Sequence, residues 1–354
     1  MTVGLLSLAA ASLPCQAAAT ATEPSTEKPS IPFTTRYDAE LHGGIVRAAN
    51  AAITCRGADP LKRVGCAEAR SGAIASNGDF DMFYTDIDDD PNTYNSSSAE
   101  VRIPAGSRVT YARLYWGGNL RVGEQKPPRD NGRVLVAEPG GAYKQVLADT
   151  VVGHRVANGA DAYQASADVT ELVRSSGAGL YTVAQLNVAM GRTAAGAWGG
   201  WTLVAAYENP SEPLRRLFVR DGFDTFTRQQ PSRTFRMTMP LAEGASGSAG
   251  LVAYNGDRGR GGDSLTVSTG RGGPVALSDR ANPADDVLNS TISQPGERQP
   301  ERVPAHANTL GYDSDVFSLD KAVARGGRSL DFRLDSAEDT AWIGALFGAV
   351  DVRS

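Results

Sequence analysis

Short apolar runs rich in β-branched and aromatic residues, each closed by glycine, proline or a polar turn, recur from Phe33 to the end of this chain. Arg108–Trp116, Gly179–Val188, Trp201–Tyr207, Gly250–Tyr254 and Trp342–Val352 are the clearest. Runs of this length and composition read as strands, and the 39 glycines and 19 prolines supply the turns between them. Only residues 167–177 read as a helix, with Asp168 or Thr170 at its start and Gly177 at its end. Many strands and few helices predict an all-β protein. The expected form is two β-sandwich or jelly-roll-like domains with one or two short helices.

The chain divides accordingly. Residues 1–21 carry an apolar stretch followed by small residues, the pattern of an export signal, although no basic residue precedes it. A short buried apolar segment is the alternative, and the stretch is too short for a membrane span. Residues 22–32 read as a polar linker. A boundary is expected at Glu208–Pro213, which gives a first domain at 33–209 and a second at 210–354. A polar stretch at about 280–308 reads as a flexible loop.

Cys15 falls in the signal-like segment, so Cys55 and Cys66 are left as a pair. In an exported chain they are expected to form a disulfide. A net charge of −5 argues against a general nucleic-acid binder, which presents a basic face to phosphate. No membrane anchor is expected.

Asp86, Asp88 and Asp90, with Asp89 among them, are the densest set of hard oxygen ligands in the chain. Calcium suits such ligands, with Asp79, Asp81 or a carbonyl completing the shell. The spacing does not fit an EF-hand: Pro91 stands where that loop needs glycine and Ser97 where it needs a bidentate glutamate. A solvated acidic turn, its carboxylates bonded to local backbone, is the competing reading. Asp313 and Asp315 could bind a cation or cap the following turn. The Gly-rich stretch Asn255–Ser264 lacks the lysine and following helix of a phosphate loop and reads as a turn. His42, His154 and His306 are scattered, with no nucleophile elbow or metal-binding pair. Of the four tryptophans, Trp198 is flanked by Ala197, Gly199 and Gly200. It is the expected exposed ring for ligand contact, while the others read as core.

Several of these segments together carry a resemblance. Asp86–Ala99, Leu114-Tyr115-Trp116-Gly117-Gly118, Ala167–Thr170, Gly199–Val204, Asp221-Gly222-Phe223 and Asn308–Phe317 are similar to the N-terminal head region of secreted bacterial surface proteins, actinobacterial ones included. Those proteins often continue into tandem Ig-like repeats. The resemblance spans about residues 33–352 and implies an extracellular β-rich module without established chemistry. The chain shows neither the repeat tail nor a wall-sorting signal, so covalent wall attachment is not expected. The function expected is secreted or cell-surface binding and scaffolding, adhesin-like, toward an extracellular protein or glycan. The alternatives are a carbohydrate-binding module and, behind it, a carboxylate-dependent hydrolase.

Overall fold

The computed structural model describes residues 23–58, 63–157, 159–296, 299–337 and 340–352, so the signal-like segment 1–21 with Cys15 lies outside the described residues. In chain order the strands are β1 Thr34–Ala51, β2 Ile53–Ala58, β3 Phe80–Tyr84, β4 Ser96–Val101, β5 Arg108–Asn119, β6 Arg133–Ala137, β7 Lys144–Leu147, β8 Thr150–Ala157, β9 Ala160–Asp168 and β10 Gly179–Ala184. They continue as β11 Gly199–Glu208, β12 Leu214–Thr225, β13 Ser232–Glu243, β14 Gly247–Tyr254, β15 Asp263–Ser268, β16 Val275–Ala276, β17 Arg302–Val303, β18 Tyr312–Ser318, β19 Arg325–Ser336 and β20 Trp342–Asp351. Three short helices stand among the described residues: α1 Cys66–Arg70, α2 Thr170–Ser176 and α3 Asp320–Val323. The protein is all-β, and α2 is the helix read from residues 167–177, closed by Gly177 at φ 71°.

Alternation along the strands builds four stacked layers. On β5, Ala112, Leu114 and Trp116 join one cluster with Val134, Val136, Tyr181 and Val183 of the sheet β17-β4-β10-β6-β7. The intervening Tyr115 points the other way and packs with Val219, Tyr254 and Phe347. On β12, Val219 faces that central cluster, while Phe218 packs with Leu330 and Phe332 of the sheet β13-β19-β15-β16. The middle two layers are the halves of one ladder, β18-β14-β20-β12-β1-β11-β5-β9-β8.

β1 joins those halves. Its first part pairs with β12 as far as His42 opposite Leu214, and its second part pairs with β11 from Gly43 opposite Glu208. The transfer needs glycine, because a Cβ on Gly43 would lie 1.9 Å from the Tyr207 carbonyl oxygen. The segment Glu208–Pro213, expected as a boundary, runs from the end of β11 to the start of β12. β17, from the far end of the chain, pairs with β4.

The disulfide forms as expected, Cys55 to Cys66, with Cα atoms 5.7 Å apart. It ties β2 to the start of α1. The polar stretch at 280–308 is not the loose loop its composition suggests. Asn282, Val287, Leu288 and Asn289–Ser293 are buried, and 290–293 runs beside β18, with Ser314 N donating to Thr291 O and Val316 N to Ser293 O. Its polar side chains are spent on internal hydrogen bonds, which covers an edge strand that would otherwise stand open.

Candidate ligand-binding cleft between the central sheets

Where β1 leaves one central half for the other, the layers part and leave two hollows that share Ile45 and Ser248. The larger, about 320 Å³, lies among β1, β14, β18 and β20 beside Gln294, Pro295 and Pro300, and its walls include Arg47, Arg102, Val316 and Phe347. The smaller, about 300 Å³, is lined by Tyr207, Arg215, Asp320 and Asp351 among others. Glycines hold the floor thin: a Cβ on Gly250 would lie 2.3 Å from the Phe347 ring, and one on Gly44 would lie 2.7 Å from the Tyr207 hydroxyl.

The carboxylates of the smaller hollow are already engaged. Asp351 pairs with Arg215 at 3.1 Å and accepts from Ser246 N, while Asp320 accepts from Gly247 N at 3.0 Å. Arg215 also donates to Gly43 O and Glu212. This end is a closed ionic network.

The larger hollow is different. Arg47 is 4% exposed; Nη2 donates to Ser293 O at 2.5 Å, and Nε has no acceptor. Burial, partly offset by the charge of Asp315, lowers its pKa to about 10. Arg302, close enough to repel it, is lowered to about 10 by burial as well, and its Nη1 lacks an acceptor. Asp315 accepts from Thr291 Oγ1, Ser293 N and Ser293 Oγ. Burial raises Asp315 to about 6 despite those bonds and Arg47. Burial, then the Asp315 charge, pushes Asp313 well above the usual carboxylate range. Both aspartates therefore fasten the 290–293 segment to β18, with Asp313 accepting from Thr291 N at 3.1 Å. His306 is depressed to about 4 by burial and by the Arg70 and Arg302 charges.

The aspartate loop is held by its own donors. Asp88 accepts from Asp90 N, Thr93 Oγ1 and Tyr143 OH. Asp90 accepts from Asn92 N and Nδ2, and Asp86 from Ser96 Oγ. Burial would raise Asp88, but bonds led by Tyr143 and Ser96 bring it below the usual range. Asp81 pairs with Arg56, and Asp79 accepts weakly from Ser76 N. Among the described residues, no group of three or more Asp, Glu, His or Cys side chains is arranged to hold a metal.

Trp198 corrects its expectation: it is 0% exposed, its ring tilted against Trp342 at 5.0 Å and Tyr254 at 5.7 Å in the contact between the central layers. Its flanking glycines mark close packing, not exposure. Trp116, Trp201 and Trp342 are buried too, so no tryptophan offers a sugar platform. Arg47 went unremarked in the sequence; the available signal was a lone guanidinium between Val46 and Ala48-Ala49.

Stacked antiparallel sheets with a cleft between the central layers define an all-β protein. The chain belongs to the family described as Protein of unknown function (DUF3344), whose model matches residues 69–249, from α1 into β14. No curated protein matches it. Among solved structures it is similar to the major capsid protein P2 of bacteriophage PM2, at 12% identity over 87% of this chain and 98% of that one, with a TM-score of 0.19. It is similar to a Sulfolobus Turreted Icosahedral Virus structure at 10% identity, over 72% and 86% of the two chains, with a TM-score of 0.20. It is also similar to the VP2 subviral particle of infectious bursal disease virus at 12% identity, over 93% and 75%, with a TM-score of 0.24. At these scores the likenesses carry no argument about this chain.

Proposed function

We propose that the protein is an exported binding module that takes an extracellular ligand in the cleft between its central layers. The observation that carries the reading is the larger hollow, whose wall includes a buried arginine with a donor left over. The disulfide supports an oxidising compartment. The test is a cleft-filling change, Ser248→Trp, at a residue shared by both hollows. Glycans, peptides and small organic acids would be screened by thermal shift. Compounds that raise Tm in the native chain are expected to leave Ser248→Trp unmoved, and equal shifts in both would place the ligand elsewhere. Removing residues 1–21 should trap the chain inside the cell, and undiminished secretion would sink the exported part.

Calcium at Asp86, Asp88 and Asp90 belongs to the same proposal as a stabiliser of the loop. What supports it is the meeting of Asp86 and Asp88 at Ser96. Calcium should then raise Tm over a chelated sample, and Asp88→Ala should abolish the rise. An unchanged Tm in the native chain rejects the site.

A further inference from the structure

A guanidinium taken out of water is costly unless acceptors replace the lost hydration. Arg47 has one acceptor, Ser293 O, and an Nε with none. Asp315 attracts it, but no hydrogen bond joins the two, Arg47 Nε and Asp315 Oδ2 both being without a partner. Arg302 draws on the same carboxylate, and Asp313 is held toward its neutral form beside Asp315. Two buried guanidiniums thus face one charged carboxylate, next to a cavity that Arg47 itself lines.

The rest of the cavity adds to this. Arg102, paired with Glu100 at 2.6 Å, and Gln294 give the wall two further donor-bearing side chains. Val316, Phe347 and Pro295 give the wall an apolar side. The loop wall is braced by Gln299, whose Nε2 donates to Gln294 O at 2.8 Å and whose Oε1 accepts from Gln294 N at 3.1 Å. A volume of about 320 Å³ is at the small end for a small-molecule site, roughly 300–1,000 Å³.

We propose that the larger hollow is a binding site for a small organic carboxylate, its oxyanion received by Arg47 with Arg102 nearby and its apolar stem laid against Val316 and Phe347. The inference rests on the cleft reading and deepens it by naming the ligand class. The oxyanion supplies the acceptor that Nε lacks and offsets the second guanidinium. The apolar wall separates such a ligand from free inorganic phosphate, which would meet Arg47 alone.

The experiment is calorimetric titration of the full chain with octanoate, with octanol as the neutral analogue and inorganic phosphate as the bare anion. Octanoate should bind, with octanol and phosphate each weaker by on the order of tenfold or more, as expected when a charge-assisted hydrogen bond or the stem is lost. Arg47→Lys keeps the charge but loses the Nε donor, and should weaken octanoate about tenfold while leaving octanol unchanged. If Arg47→Lys does not fold, Arg102→Ala serves instead, because Arg102 lies nearer the surface, and it should weaken octanoate by a smaller factor. Equal binding of octanoate and octanol, octanoate binding indifferent to both arginine changes, or no octanoate binding at all would overturn the proposal. If Ser248→Trp abolishes binding of a neutral ligand while the arginine variants do not, the anion site falls and the cleft stands. If Ser248→Trp leaves every ligand's affinity unchanged, the cleft falls as well.

Discussion

Asp221, 2% exposed, collects donors from three places at the central contact: Arg36 Nε at 2.6 Å, Tyr115 OH at 3.1 Å, and Arg113 paired at 3.3 Å. Arg113 is itself buried and shared with Asp149 and Ser166. Asp221→Ala would leave that charge and a tyrosine hydroxyl short of an acceptor in low dielectric. It should cost about 3–5 kcal/mol, the usual result of breaking a buried pair from one side, read from urea denaturation. A loss within about 0.5 kcal/mol, typical of a surface change, would show that Asp221 is not the centre of this network. Asp315 gives a different expectation. Its folded pKa is about 6 against 3.8 for the free side chain, so its contribution is fully present below pH 3.8 and is lost as pH rises through about 6. His306, depressed to about 4, works in the opposite sense, since its contribution is lost as pH falls below about 6.5. The clean readout is therefore a difference. Relative to the native chain, Asp315→Asn should gain roughly 2–3 kcal/mol between pH 4 and pH 7, whatever its fixed offset from altered hydrogen bonds. A pH-independent difference would mean that Asp315 titrates normally in the fold. Neither role was legible from the sequence. Asp221 sits in an ordinary Asp-Gly-Phe, and the spacing of Asp313 and Asp315 suggests only a cation or capping pair.

At the scale of elements, the disulfide is the simplest case to argue. It closes eleven residues of sequence separation between β2 and α1, and Arg70 of α1 donates back to Cys55 O. Chain-entropy reasoning gives such a loop roughly 2–3 kcal/mol. Reduction should lower stability by that amount without dissolving the sheets, as followed by far-ultraviolet circular dichroism; full unfolding on reduction would contradict this. Strand runs such as Arg108–Trp116 and Gly250–Tyr254 were readable because most of their residues on both faces are buried and apolar, with β-branched and aromatic side chains among them. β4, with its sequence Ser-Ser-Ser-Ala-Glu-Val, was not, because its serines are buried by hydrogen bonds such as Trp201 Nε1 to Ser97 Oγ at 2.9 Å. The same chemistry hid the 280–308 stretch. Asn282, Thr291 and Ser293 look solvated in sequence, yet they bond one another and Asp315 inside the fold. Polar composition reports solvation only when partners are missing, and here the fold supplies the partners from within the stretch and from β18.

At the scale of the molecule, the four layers could be taken for two sandwiches set side by side, each with its own core. β1 argues against independence. One 18-residue strand supplies a ladder partner to both central halves, with β11 on one stretch and β12 on the other. The contact between those halves is no wet domain boundary. Trp198, Trp342, Tyr254, Tyr312 and Phe223 fill it, and Gln164, from β9, donates to Gly222 O at 2.9 Å and Gly344 O at 3.2 Å across it. Interfaces between separable domains are usually more polar than this. Unfolding either half would strip β1 from the other and expose the aromatic cluster, so the two should melt together. Differential scanning calorimetry is expected to give one transition with calorimetric and van't Hoff enthalpies equal. A chain cut between Asn209 and Pro213 should give fragments that fold only when mixed, because the fragment starting at β12 would lack its β1 partner. Two resolved transitions, or a 214–352 fragment with native sheet content on its own, would mean that the sandwiches are autonomous and that the cleft between them can open.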